Sequence, residues 1–366
     1  MAVTNFGVNS NETVKLWRKQ LWTETLKYTT MSPLMGTGTD SIIQVLDDTQ
    51  KSAGDRITVT LRLLLTGAGI EGDATLEGNE EALVTYTDNL LINQLRHATR
   101  SAGVMSEQRV DWDLREQMKD AQRDWWADRF DTVILNHAGG NTGQADTRYL
   151  GHNAALAPTS TSGNTRILYG GGVGSVTENS LSSTSETFSL TYIDRALVQA
   201  ELATPKIRPG IVGGERVYCM VIHPNEVKEL ETNATAGSIT WYDLQRSAMQ
   251  GGKISNNPLV AAMRDAGFIG QYKNVLLKSD SRIPVAPNTT TVYRNVFLGA
   301  QAVGVGFGKR FGPGPTGGRF QWVEKFFDFD NQLGVATRLI WGAKKMQFNS
   351  IDNAVIVISA HSPAVS

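Results

Sequence analysis

The chain has 366 residues with 35 Lys and Arg against 36 Asp and Glu, a net charge of -1, a hydrophobic content of 40% and one cysteine. That length supports a large core and two or three domains, while near-neutrality argues against a dedicated nucleic-acid binder, which is normally basic. A lone Cys219 excludes an intrachain disulfide and fits a reducing compartment, no apolar run approaches the ~18 residues of a membrane span, and the opening MAVTNFGVNSNE lacks a signal-peptide core.

Residues 1–11 are polar and read as an arm. Glu12 to Thr30 follows as a helix with Val14, Trp17, Leu21, Trp22 and Leu26 on one broad face, ended at Pro33. Two tryptophans on a terminal helix need a partner surface. Trp17, Leu21 and Trp22 are therefore the docking residues expected of this arm, on its own domain or on a neighbour's.

Arg56 to Leu65 (RITVTLRLLL) and Ala82 to Arg96 (ALVTYTDNLLINQLR) are strand runs. Between them lie the turn-rich stretch from Gly67 to Asp73 and the acidic turn from Glu77 to Glu81. The pattern predicts a long hairpin with too few apolar residues near its tip for a private core. A two-stranded ribbon is marginal alone in water, so the tip, with Gly69, Glu71, Asp73, Glu77, Glu80 and Glu81, is expected to lie on another subunit.

Ser106 to Ala138 contains no Gly or Pro and repeats apolar residues at helical spacing: Leu114, Met118, Ala121 and Trp125, then Trp126, Phe130, Val133, Ile134 and His137. With Ser106 as its cap this would be a rod of roughly 50 Å, a spine rather than an ordinary core helix. Its polar side carries a row of carboxylates including Asp120, Asp124, Asp128 and Asp131 beside Arg115, Lys119 and Arg123. One reading is a self-paired solvated face; the sharper one sends the acidic row to basic groups of another subunit.

Residues 139–185 are rich in Gly, Ser, Thr and Asn and read as a long connection. Tyr192–Leu202 reads as a helix, Arg216–Ile222 as a buried strand, and Pro224–Leu230 as a helix with Pro in its first turn. Further strands are expected at Asn274–Lys278, Thr291–Leu298, Ala302–Phe307, Phe320–Phe329, Val335–Ile340, Lys345–Phe348 and Ala354–Ser359. Helices and strands mix without regular βαβ alternation, so the class is α+β.

No catalytic constellation, metal spacing or cofactor motif emerges. His97, His137, His152, His223 and His361 are scattered, and His223, between a strand and Pro224, reads as structural. Cys219, mid-strand, reads as a small core residue. Gly251-Gly252-Lys253-Ile254 lacks the Ser or Thr of a phosphate loop. Tyr169-Gly170-Gly171-Gly172-Val173-Gly174 has no strand-to-helix context for a dinucleotide. Catalytic, cofactor-binding and metal sites are all expected to be absent.

Several strings are shared with a known family: Ala53-Gly54-Asp55-Arg56-Ile57, LEGNEEAL at 76–83, Ile92 to Ala98, Ser106-Glu107-Gln108-Arg109, His223-Pro224, LGAQA at 298–302 and GAKKMQFN at 342–349. On these the chain resembles the tailed-phage major capsid proteins with the HK97 fold, in the N-four-type branch. The resemblance implies an N-terminal arm over 1–52, an extended loop over 53–104, and a peripheral domain with the spine helix over 105–204. An axial domain would span 205–300, and the strands of 301–366 would complete both domains. It implies a structural protein assembling with itself, as hexamers and pentamers, into an icosahedral shell around double-stranded DNA. Scaffold, portal and possibly decoration proteins would be its other partners, and assembly would occur in the host cytoplasm. Contact with packaged DNA would be weak and non-specific, through Lys15, Arg18 and Lys19. Two alternatives stay open on the residues alone: an encapsulin-like compartment and a soluble α+β enzyme.

Overall fold

The structure is a computed structural model that describes residues 21–47, 54–63, 65, 67–73, 75–111, 113–161, 164–171, 177–183, 186–232, 267–287, 289–308 and 319–362. In chain order, helix α1 (residues 21–28) leads through a short 3-10 turn to β1 (Met35–Gly36) and β2 (Ile43–Leu46). The hairpin strands β3 (Arg56–Arg62) and β4 (Thr85–Leu91) follow, then β5 (Asn93–Arg100), α2 (Val104–Gln108), α3 (Leu114–Gly139), α4 (Thr147–Leu150) and β6 (Ile167–Tyr169). Next come α5 (Leu190–Leu202), β7 (Gly210–Val212), β8 (Glu215–Ile222), α6 (Pro224–Thr232), β9 (Phe268–Tyr272), β10 (Val275–Ser279), β11 (Val292–Leu298) and β12 (Val303–Phe307). The chain finishes with β13 (Gln321–Phe327), β14 (Gln332–Lys345), β15 (Gln347–Phe348), β16 (Ile351–Asp352) and β17 (Val355–His361).

Two sheets organise these elements. The first runs β1-β2-β12-β14-β13, with β5 on the other edge of β14. The second runs β6-β17-β11-β8-β10-β9, with β7 on β8. Strands β8, β11 and β17 are buried along almost their whole length, and β8 and β17 accordingly read as nearly continuous apolar runs. One continuous core joins both sheets to α3 and includes Trp126, Phe130, Phe297, Phe320 and Trp341. A smaller cluster of Leu46, Ile57, Leu90, Ile92, Met346 and Phe348 seats the hairpin root on the first sheet.

Helix α3 spans the junction. Trp126 Nε1 donates to Thr337 Oγ1 on β14 at 2.8 Å. At its far end the Arg294 guanidinium of β11 donates to the Gly139 carbonyl at 3.2 Å and to that of Gly140. Gly140 ends the helix in the left-handed conformation (φ 63°), and its N–H bonds the His137 carbonyl at 3.1 Å.

The rod expected from Ser106 to Ala138 is interrupted. Gly103, not Ser106, precedes the first short helix, and Asp113 takes extended backbone angles (φ -70°, ψ 110°) while its carboxylate accepts from Arg115 N at 2.8 Å. A carboxylate satisfying an orphan N–H starts a new helix there. At 26 residues α3 is about 39 Å long rather than 50 Å. The apolar stripe also differs by one position. Ala121 is exposed and Gln122 is buried, because its Oε1 accepts from Thr337 Oγ1 at 2.7 Å and lies 3.2 Å from His97 Nδ1.

The returning strand of the hairpin breaks at Ile92 into β4, paired with β3, and β5, paired with β14. The strand expected at Val335–Ile340 extends to 14 residues, since β13 and β12 occupy successive stretches of one edge of β14. The stretches around 17, 251–254 and 308–318, apart from Gly308, lie outside the described residues.

Candidate functional site

The hairpin stands clear of its own chain beyond its root. Its ladder pairs Arg56 with Leu91 through Arg62 with Thr85. Beyond it every described residue from Gly67 to Val84 is exposed except Ile70, which is partly buried, and Leu76, Leu83 and Val84 are among the exposed large hydrophobics. The tip holds its shape with local bonds: Gly67 N donates to Glu81 Oε2 at 2.7 Å and Gly78 N to Glu80 Oε2 at 2.9 Å. Gly69 (φ 72°) occupies a left-handed backbone position that a Cβ would strain. Among the described residues, Glu71, Asp73, Glu77 and Glu80 join no ion pair.

The hairpin root is tightly set. Leu91 N donates to Asn153 Oδ1 at 3.1 Å, and Asn153 Nδ2 returns a bond to the Leu91 carbonyl at 2.9 Å. Lys344 Nζ on β14 pairs with Asp88 of β4.

The arm helix docks on its own chain. Leu21 is fully buried, and the Trp22 ring meets Phe130, Phe307 and Phe320 edge-on at 6.3, 5.6 and 5.5 Å. Arg319 lies over the Trp22 ring at 4.9 Å and bonds Asp47 Oδ2 at 2.8 Å. Trp17 lies outside the described residues.

The acidic row of α3 divides. Asp131, expected at a subunit contact, is 0% exposed and is used inside the chain. Its carboxylate accepts from Thr30 N at 2.8 Å and Met31 N at 3.0 Å, and pairs with Arg282 at 3.0 Å. Spacing puts it on the polar side, but the turn that follows α1 passes over it, and the buried Thr30 and Met31 N–H groups of that turn need an acceptor. Burial raises its pKa in spite of those bonds and Arg282. Asp120 and Asp124 both pair with Arg123 of the same helix, at 3.2 and 2.9 Å, and Asp128 pairs with Arg282 at 2.9 Å. The Asp124 and Asp128 side chains remain 60% and 64% exposed. Lys119 pairs with Glu24 of α1 at 3.8 Å.

The histidines and the cysteine serve packing. His223 stacks on Tyr293 at 3.8 Å, and its Nδ1 accepts from Asn225 N at 3.2 Å. His137 is buried, its Nε2–H donates to the Leu150 carbonyl at 2.8 Å, and desolvation drops its pKa to about 4. Cys219 is buried, and its thiol is pushed up to about 12, too high for a thiolate nucleophile at neutral pH. Among the described residues no three His, Cys, Asp or Glu gather as metal ligands. A groove of about 520 Å³ between α5 and the 164–168 segment is lined by Arg166, Asp194, Val198 and Leu202 and brings together no nucleophile and base. What the surface offers is protruding elements and uncovered faces, the equipment of an assembling subunit.

The sequence matches the family described as phage capsid protein over residues 5–364. The chain belongs to the phage capsid protein family. It is 27% identical to the major capsid protein of Pseudomonas phage KPP25 across 95% of this chain and 93% of that one. Its fold matches the capsid of Ralstonia phage GP4 with a TM-score of 0.74 at 29% identity, covering 92% of this chain and 91% of that one. The capsid of cyanophage Pam1 matches with a TM-score of 0.70 at 19% identity over 93% and 94% of the two chains, a likeness of fold alone. The fold is the HK97-like α+β capsid fold. This capsid protein is a structural component of the phage virion that assembles with copies of itself, and not an enzyme.

Proposed function

We propose that copies of this capsid protein close as hexamers and pentamers into an icosahedral head around double-stranded DNA, with each β3–β4 hairpin lapping over a neighbouring subunit. The observation that carries this reading is the hairpin tip: an acidic and partly apolar arm, exposed along nearly all its described length, on a chain whose relatives are capsid proteins. An exposed two-stranded ribbon is marginally stable in water, and its apolar side chains are stabilised when another surface covers them.

In this reading residues 1–52 are the arm, 53–104 the extended loop, 105–204 a peripheral domain built on α3, and 205–300 an axial domain, with 301–366 completing both. The last segment supplies β12, β13 and β14 to one sheet and β17 to the other, which supports that division. Of the acidic row, Asp124 and Asp128 keep enough exposed surface to meet a neighbour. Scaffold, portal and decoration proteins complete the head, assembly takes place in the host cytoplasm, and contact with DNA is sparse, non-specific and salt-sensitive.

The test is expression with and without a scaffold partner, followed by velocity sedimentation and electron microscopy. Closed shells or rings are the expected result. A species that remains a monomer of about 40 kDa under every condition would overturn the reading.

A further inference from the structure

The first sheet has one face on α3 and another turned away from it. On the β14 strand, Thr337 and Trp341 face the helix, while Arg338 and Ile340 point the other way. The hairpin root of the same chain covers the Ile340 and Met346 end of that outer face. The remaining end is open and basic. Arg96 on β5 and Arg338 on β14 are direct cross-strand partners, and Arg100 and Lys325 flank Gly334 from the two sides. Arg100 lies 4.3 Å and Lys325 Nζ 5.0 Å from the Phe327 ring, so both are gathered round one aromatic. Val323, on the same face, is exposed.

No carboxylate occupies the positions of β5, β14 and β13 that share this face. Like charges directly opposite on adjacent strands disfavour each other, so the exposed Arg96, set beside Arg338, gains when an anionic surface arrives. The chain itself contains a matching surface. Between Gly67 and Val84 it has five carboxylates, Glu71, Asp73, Glu77, Glu80 and Glu81, and no Lys or Arg. The same segment exposes Leu76, Leu83 and Val84, which suit Val323 and Phe327. Seven paired residues carry the tip roughly 23 Å beyond the root at ~3.3 Å per residue.

We propose that the acidic tip of the β3–β4 hairpin docks on the basic outer face formed by Arg96, Arg100, Lys325 and Arg338 of a second copy of this chain. The contact rests on the shell reading above and gives it a receptor. Charge complementarity sets the register of the lapped arm and steers encounter, and the leucines and valines supply burial once water is excluded. Because the attraction is between exposed charges, it weakens as salt shortens the screening length.

Lys325 is the one amine on the patch, which allows a test on the unaltered protein. Purified particles are treated with a carbodiimide, which couples a carboxylate to an amine only when the two touch, and digested for mass spectrometry. The expected product joins Lys325 to one of the five tip carboxylates, and it is absent from unassembled subunits treated alike. In parallel, Arg96→Glu with Arg100→Glu should lower particle yield by about tenfold or more while leaving the circular dichroism of the subunit unchanged. Adding Glu77→Arg and Glu80→Arg should restore the yield. Particles whose tips couple elsewhere, or full yield from the Arg-to-Glu variant, would overturn the contact while leaving the shell intact. Normal shells from that variant with a reduced DNA content would assign the face to phosphate and equally overturn it. No particles from the unaltered chain would remove the shell reading and this contact together.

Discussion

Lys345 Nζ and Asp352 Oδ2 stand 2.9 Å apart with both side chains fully buried. The pair lies where three segments meet. Thr159 N and Gln347 Nε2 also donate to the Asp352 carboxylate, at 3.2 and 2.8 Å, Lys345 Nζ reaches the Ala157 carbonyl at 3.3 Å, and Arg166 Nε reaches the Asp352 carbonyl at 3.1 Å. This polar knot ties the 157–166 connection to the end of β14. Removing one charge leaves the other buried and short of a partner. Lys345→Met should therefore destabilise the subunit by about 3–5 kcal/mol, read as a lower urea midpoint with an unchanged slope. A loss under 1 kcal/mol would show that the remaining donors satisfy Asp352 by themselves.

His137 gives a pH dependence with a defined sign. Its pKa is held at about 4 by burial, against an ordinary 6.5. The unfolded chain thus takes up a proton that the native state refuses. Stability from this group is complete above pH 6.5 and is lost as pH falls toward 4, by about 3 kcal/mol in all. Urea unfolding of subunits at pH 7, 5.5 and 4.5 should show that fall, and His137→Gln should flatten it. Equal pH slopes in the two proteins would count against the assignment.

The hairpin angle depends on a close backbone approach. A Cβ on Gly342 would sit 2.1 Å from the Leu91 carbonyl oxygen and 3.1 Å from its carbon, with no flexible side chain to yield. Gly342→Ala should cost about 1–3 kcal/mol and tilt the hairpin root. Assembly should suffer more than folding, since the tip magnifies a small rotation at Leu91. Full particle yield from this variant would show that assembly does not sense the root.

The shell should be held without covalent links through the hairpin. From Asp55 to Arg100 the basic residues are Arg56, Arg62, Arg96, His97 and Arg100, with no lysine. A guanidinium stays protonated and is a poor amine nucleophile, so an isopeptide bond from the loop has no donor. Cys219 is buried and offers one thiol. Boiled, mature particles should give one band near 39.9 kDa, or slightly lower after trimming. A ladder of larger bands that survives reductant would disprove this.

Hydrogen exchange offers a final check on the tip. The backbone from Thr75 to Val84 is largely without ladder partners, so it should exchange fast in free subunits and slow down in particles. Equal rates in the two states would refute a lapped hairpin.

Much of this architecture is legible in the residues because it depends on local patterns. The hairpin, the spine region, α5, and strands β8, β11 and β17 follow from periodicity and turn residues. The break before α3 was also written locally, in Asp113 followed by Glu116, a capping signature that the continuous apolar stripe overrides on inspection. Asp131 was not legible. Its partners Thr30, Met31 and Arg282 lie 100 or more residues away, and helical spacing places it among exposed neighbours. The same holds for Gln122, whose burial depends on Thr337. The basic outer face is not legible for a related reason: Arg96, Arg100, Lys325 and Arg338 become neighbours through the ladders on β14.

Those ladders also govern when in synthesis the subunit can exist. Among the described residues β5 pairs with β14 alone, β2 joins β12, and β6 pairs with β17, so both sheets are completed by strands drawn from the last sixty or so residues. A nascent chain leaving the ribosome carries α3 and β5 with their apolar sides uncovered until those strands emerge. Its sheets close late, through contacts distant in sequence, which are the slow ones to form. A chain broken off near residue 330 lacks β14, which joins β5, β12 and β13, and β17, which joins β6 to β11, so it cannot complete either sheet.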